Sequence, residues 1–159
     1  MSGHPSAVPY VAVAGSGEPP AELLGPAEEL GAVLAEGGAV VVTGGLGGIM
    51  EAACRGARSR LGQTLGILPG TDRADANGWV GVAVTTGVGE QRNALIVASC
   101  DVLVAVGAGY GTLSEVAMAL KSGRPVVSLW SWAIDGVTAV ESAREAGERA
   151  LALARERVR

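Results

Sequence analysis

The residues of this chain that could do chemistry are few, and most lie in or beside glycine-rich turns. In the stretch VLVAVGAGYG, residues 102–111, a short apolar run breaks into Gly107, Gly109, Tyr110 and Gly111, and a helical pattern beginning Thr112-Leu113-Ser114-Glu115 runs on to Lys121. A strand that turns through glycines into a helix aims backbone N–H groups and the positive end of the helix dipole at an anion. Glycine suits such a turn because a Cβ blocks both positive φ and close approach of the backbone to the anion. Gly107, Gly109 and Gly111, with the Thr112 hydroxyl, therefore form a candidate phosphate cradle. The same residues also read as a tight turn in which Thr112 caps the helix and Glu115 closes a T-x-x-E capping box. At this level the two readings stand side by side.

Two further turns repeat the arrangement. Gly15-Ser16-Gly17 follows VPYVAVA, and Gly44-Gly45-Leu46-Gly47-Gly48 follows AVVVT and leads into Ile49-Met50-Glu51. The second lacks the Lys-Ser/Thr pair of a Walker loop and the spacing of the dinucleotide fingerprint, which excludes both. Arg92, near the start of a helical pattern over residues 90–99 with Gln91 and Asn93 beside it, could hold a phosphate through its planar fork. Its plain alternative is a surface arginine. Glu115, three residues after Thr112, sits one turn into its helix above the same rim. Glu51 and Glu90 read as first-turn helix acids, and Trp79, Trp130 and Trp132 as packing or interface residues.

Other chemistries are excluded by what is missing. His4 is the only histidine and lies in the N-terminal tail, which removes histidine catalysis and multi-histidine metal sites. Cys54 and Cys100 have no CxxC spacing and read as buried thiols in a reducing compartment, so no metal site is expected. A formal charge of −4 with Lys121 as the sole lysine argues against a surface that coats nucleic acid. No basic segment precedes an apolar core in residues 1–9, and no apolar run reaches the ~18 residues of a spanning helix. A cytoplasmic protein without a membrane or nucleic-acid partner is expected.

The elements that must position these residues alternate. Strands are expected at residues 8–14, 39–43, 64–68, 80–85, 102–106 and 125–129. Helices are expected from Pro26 to the Gly37-Gly38 stop with Glu28 and Glu29 in the first turn, over 49–60, over 90–99 and over 112–121. A last helix begins at Gly136, with Val140, Ala143, Ala150, Leu151 and Ala154 inward and Arg144/Glu148 and Glu145/Arg149 pairs outward. The polar stretch 71–78 reads as an exposed loop able to close over a ligand. Val-rich strands without polar alternation call for a parallel sheet covered on both faces. The expected fold is α/β: a single doubly wound, Rossmann-like domain over residues 1–159 with a mainly parallel sheet and residues 1–7 as a flexible tail. All the glycine turns then fall at strand carboxyl ends, where such sheets bind ligands.

Taken together, Thr43-Gly44-Gly45-Leu46-Gly47-Gly48-Ile49-Met50-Glu51, Arg92-Asn93 and Gly107-Ala108-Gly109-Tyr110-Gly111-Thr112-Leu113-Ser114-Glu115 resemble the LOG-like superfamily. That group holds the cytokinin-activating phosphoribohydrolases, proteins long labelled lysine decarboxylases, and the molybdenum-cofactor carrier proteins. The resemblance, from Val11 to about Leu129, implies a Rossmann-like fold, usually dimeric, that binds a nucleotide-like phosphate at the strand carboxyl ends. In the hydrolases the motifs read GGGxxGLM and PGGxGTxxE with a catalytic arginine between them. Arg92 and Glu115 match the catalytic pair, and Gly109, Gly111 and Thr112 match the phosphate turn. Here Val106-Gly107-Ala108 replaces the proline and first glycines, and Asn93-Ala94 stands where a lysine often follows the arginine. These features are closer to the carrier branch, in which a pterin phosphate is bound and not cleaved. The implied ligand-binding residues are Gly15, Ser16, Gly44, Gly45, Gly47, Gly48, Met50, Arg92, Asn93, Gly107, Gly109, Tyr110, Gly111, Thr112 and Glu115. The implied ligand is the molybdenum cofactor or a nucleoside monophosphate, with no cofactor required. The alternative function is hydrolysis of the N-glycosidic bond of a cytokinin nucleoside 5′-monophosphate by Arg92 and Glu115.

Overall fold

The apolar runs form strands that lie side by side in parallel, each buried on both faces near the centre of the sheet. The computed structural model describes residues 8–158; the expected tail over residues 1–7 and His4 lie outside them. The strands are β1 (Tyr10–Gly15), β2 (Val40–Thr43), β3 (Thr64–Leu68), β4 (Val82–Thr85), β5 (Val102–Val106), β6 (Val126–Leu129) and β7 (Val137–Val140). They join in one sheet of order β4-β3-β2-β1-β5-β6-β7, with every pairing parallel. The helices are α1 (Leu24–Glu36), α2 (Ile49–Ser59), α3 (Arg92–Ser99), α4 (Tyr110–Lys121) and α5 (Ala143–Arg157).

Because side chains alternate along a strand, β1 and β5 serve two cores at once. Val11, Val13, Val104 and Val106 pack with α1, α2 and α5 on one face. Ala12, Ala14, Leu103 and Ala105 pack with α3 and α4 on the other. This is a doubly wound, Rossmann-like α/β fold, and its strand order turns at the β1/β5 pair. None of the helices among the described residues is long and apolar enough to cross a membrane.

Helices α1 and α2 touch through bare glycines. A Cβ on Gly31 would lie 2.0 Å from the Ala53 carbonyl oxygen, and one on Gly56 would lie 1.8 Å from that of Glu28. Neither oxygen can withdraw, since both belong to helix backbone. Alanine at either position is expected to destabilise by about 3 kcal/mol through overpacking. Gly25→Ala, in the first turn of α1 with nothing within 4 Å of the added methyl, is expected to be neutral or slightly stabilising. Urea unfolding of the three variants measures the contrast.

The structure departs from the expected elements at several points. Residues 137–140 form the edge strand β7, so the last helix does not begin at Gly136. It begins at Ala143, where the Ser142 hydroxyl accepts the Glu145 N–H at 3.1 Å and the Glu145 carboxylate accepts the Glu141 N–H at 3.3 Å. Arg144 and Glu148 pair at 3.8 Å, whereas no Glu145–Arg149 ion pair occurs among the described residues. Helix α1 begins at Leu24, which carries Glu28 and Glu29 past the first turn, and Glu28 instead meets Arg55 on α2 at 3.1 Å. Helix α4 begins at Tyr110 with Gly109 as its cap residue, two residues earlier than expected. The polar loop at 71–78 is mostly exposed, as expected, and is tied to the turn after β2: Asn77 donates from its amide side chain to the Leu46 carbonyl at 2.8 Å and from its backbone to the Gly45 carbonyl at 2.9 Å.

Candidate functional site

At the carboxyl ends of β1 and β5 the connections leave in opposite directions across the sheet, and a cleft of about 260 Å³ opens between them. The first wall is stitched from two glycine turns. The Ile49 N–H, which opens α2, donates to the Ser16 carbonyl at 3.0 Å. Gly48, at φ +65°, passes so close that a Cβ there would sit 2.3 Å from the same carbonyl oxygen. The end of β1 is thereby held against the start of α2, with Gly15, Ser16, Gly17 and Met50 facing the cleft.

The opposite wall is the start of α4. Buried positions along this helix fall at Thr112, Glu115, Val116 and Ala119, the spacing of a core-facing stripe. Two polar residues thus occupy the first inward positions, at the end nearest the cleft. This removes the capping-box reading. Gly109 is the cap residue, Thr112 lies in the first turn, and its Oγ1 is buried without a hydrogen-bond partner.

Arg92, the first residue of α3, closes the floor. Its guanidinium lies flat against the bare Cα of Gly44, where an added Cβ would be 2.6 Å from Nη2. Its Nη1 donates to Asn93 Oδ1; Asn93 Nδ2 donates to Ser114 Oγ at 3.3 Å; and the Ser114 hydroxyl donates to the Gly111 carbonyl at 2.7 Å. This relay ties α3 to the first turn of α4. Arg92 is only 9% exposed, its Nε has no partner, and it forms no ion pair among the described residues. Buried polar atoms are nearly always satisfied in folded proteins. Two orphans, Arg92 Nε and Thr112 Oγ1, belong to residues lining one cleft.

The electrostatics follow from burial. Loss of solvent pushes the Glu115 carboxyl up to about 7, against the pull of the Arg92 charge. Burial lowers Arg92 from its ordinary value, opposed by Glu115 and then by Glu90, and the guanidinium stays charged. Cys54 and Cys100 are free and buried, and burial raises both thiols, Cys100 to about 11.

Of the residues singled out from sequence, Gly15, Ser16, Gly44, Met50, Arg92, Asn93, Gly109, Tyr110, Gly111, Thr112 and Glu115 line the cleft. Gly45, Gly47, Gly48 and Gly107 do not. Gly45 and Gly107 adopt φ of +77° and +75°, the former against Leu68 and the latter beside Leu23, so their work is to turn the chain. Val13, Ala14, Gly17 and Glu90 line it and were not anticipated. Gly17 was visible as the third member of Gly-Ser-Gly; Glu90 lies in a single turn of 3-10 helix before α3 and not in the helix itself.

The sheet, its helices on both faces and its glycine turns place the chain in the LOG-like superfamily, in its molybdenum-cofactor-carrier-like branch. The chain belongs to the SLOG cluster4 family, which matches residues 8–156. A protein of Archaeoglobus fulgidus, itself uncharacterised, is 42% identical over 137 residues, 86% of this chain and 90% of that one. The molybdenum cofactor binding protein of the phototrophic bacterium Rippkaea orientalis superposes with a TM-score of 0.85 at 37% identity, over 89% of this chain and 94% of that one. The molybdenum cofactor carrier protein of Chlamydomonas reinhardtii gives 0.81 at 33% identity, over 92% and 98%.

Proposed function

We propose that this protein binds a phosphorylated small molecule at the β1/β5 switch point, with a pterin phosphate of the molybdenum-cofactor kind as the favoured ligand. The observation that carries the reading is that two buried, unpartnered donors, Arg92 Nε and Thr112 Oγ1, belong to residues that line one cleft at the N-terminus of α4. A phosphate fits them. Its oxygens would accept from Arg92, from Thr112 and from backbone N–H groups at Gly111 and Thr112, with the helix dipole adding to the attraction. The similarity to molybdenum cofactor binding and carrier proteins supports the same ligand class.

Calorimetric titration with AMP, ribose 5-phosphate, adenosine and a single-stranded oligonucleotide tests the reading. The two phosphates are expected to bind, and adenosine and the oligonucleotide are not; equal binding of adenosine and AMP would overturn it. Native mass spectrometry of the purified protein reads both the co-purifying ligand and the number of chains. A pterin phosphate or nucleotide, on a homodimer or higher oligomer, is the outcome in keeping with one cytoplasmic domain of this family.

One observation favours a second reading. Glu115, buried beside Arg92 with its carboxyl near 7, is placed to hold or move a proton at a bond broken in the cleft. The protein would then be a phosphoribohydrolase acting on a nucleoside 5′-monophosphate. Release of free base from AMP or N6-prenylated AMP, lost in Glu115→Ala, would replace binding by hydrolysis as the function.

A further inference from the structure

We propose that Tyr110, backed by Trp132, is a stacking subsite for a planar heteroaromatic ring carried by the ligand, an inference that rests on the phosphate reading above. Tyr110 opens α4 and lines the same cleft as Thr112 and Arg92, yet it is 83% exposed. A tyrosine needed for packing would be covered. Here one side of the ring meets Trp132, with centroids 5.9 Å apart and planes inclined by 27°, and the remainder is left to solvent and the cleft.

Trp132 is itself anchored. Its indole N–H donates to the Gly109 carbonyl at 3.1 Å, the same oxygen that accepts the first helical hydrogen bond of α4 from Leu113 at 3.0 Å. Two residues earlier Trp130 holds a φ of +52°, a left-handed conformation that bulky side chains rarely adopt. That turn directs the segment after β6 back over the start of α4. The result is a pre-positioned aromatic face at the mouth of the phosphate cradle, with Trp132 restricting the tyrosine from behind.

Stacking on such a face is indifferent to hydrogen-bonding pattern, because every fused heterocycle presents a π surface. The ligand class is therefore a phosphate ester bearing a purine or pterin ring, and ring-less sugar phosphates are the disfavoured class. Tyr110 touches the ring; Trp132 is a positioning residue.

The test is the ratio of Kd for ribose 5-phosphate to Kd for AMP and for neopterin monophosphate, in the full-length protein and its variants. Preference for one ring-bearing probe over the other distinguishes purine from pterin as the source of the ring. Tyr110→Ala is expected to reduce the ring preference about 10-fold, and Tyr110→Phe to keep it. Trp132→Ala is expected to reduce it and Trp132→Phe, which keeps an aromatic ring but loses the N–H to Gly109, to restore it in part, with circular dichroism confirming that each variant folds. A ring preference unchanged in Tyr110→Ala, or absent from the unmodified protein that still binds ribose 5-phosphate, overturns the stacking subsite alone. Failure of the unmodified protein to bind any of the three phosphates overturns the phosphate reading, and the subsite with it.

Discussion

Arg92→Ala is expected to weaken binding of a phosphorylated ligand roughly 100-fold or more while leaving the unfolding midpoint of the ligand-free protein unchanged or raised. The first part follows from losing a charge-assisted, fork-shaped donor in a site where water competes poorly; removing one partner of such a buried pair costs about 2–5 kcal/mol, and about 1.4 kcal/mol is tenfold. The second follows because Arg92 is buried with an unpartnered Nε and no ion pair among the described residues, so relief of a desolvated charge offsets the loss of its hydrogen bond to Asn93. Arg92→Lys keeps charge without the fork and should fall between the two proteins. Gly44→Ala offers an independent route to the same loss, since its methyl would press into the face of the guanidinium, 2.6 Å from Nη2, and displace it. Calorimetric titration with AMP and urea unfolding measure both properties. An unchanged affinity in Arg92→Ala would remove the arginine from the site.

Glu115→Gln is expected to abolish most of the protein's loss of stability between pH 4.5 and 7. A glutamate in the unfolded chain titrates near 4.5, whereas the folded protein holds this carboxyl's proton to about 7. Between those values the folded state binds the extra proton, so stability falls as pH rises and levels out above 7. The difference is on the order of 3 kcal/mol, and at pH 8 the glutamine variant should be the more stable protein by about that amount. Ligand affinity should move with it. With Glu115 ionised, the phosphate meets two cleft carboxylates, Glu90 and Glu115, against the single charge of Arg92. The gap between glutamine variant and unmodified protein should therefore widen from pH 6 to pH 8, a comparison in which the phosphate's own titration cancels. Parallel unfolding curves at both pH values would show that Glu115 is ionised throughout.

Much of this arrangement was legible because buried parallel strands announce themselves. Val40-Val41-Val42 and Val102 to Val106 have no polar alternation, and glycines follow each within two residues, so strand ends and turns could be placed together. Edge strand β7 had no such signature: Val137-Thr138-Ala139 is only partly covered, and its pairing is imposed by β6. A Gly136 start followed by alanine-rich sequence then resembled a helix. The ambiguity of Thr112 and Glu115 turned on where α4 begins, which a two-residue shift decides and glycine-rich sequence leaves open. Gly45, Gly47, Gly48 and Gly107 looked equivalent to Gly109 and Gly111 because sequence shows that a Cβ is absent but not which neighbour requires its absence. The Tyr110–Trp132 contact crosses twenty-two positions and the whole of β6, beyond the reach of any local pattern.

The β1/β5 seam has a consequence for how the chain acquires its site. Tyr10 and Asp101, joined by a 2.8 Å hydrogen bond between backbone and carboxylate, are ninety-one positions apart. Strands β1 to β4 pair with sequence neighbours and can assemble early, whereas β1 must wait for Val102–Val106 to be made before its second edge is filled. Until then the nascent first half presents an open, apolar strand edge, the kind of template on which chains aggregate. Gly15, Gly44 and Met50 come from that first half, and Arg92, Thr112 and Glu115 from the second. The cleft therefore exists only once β5 has paired with β1, and a ligand seated across it would favour the joined state.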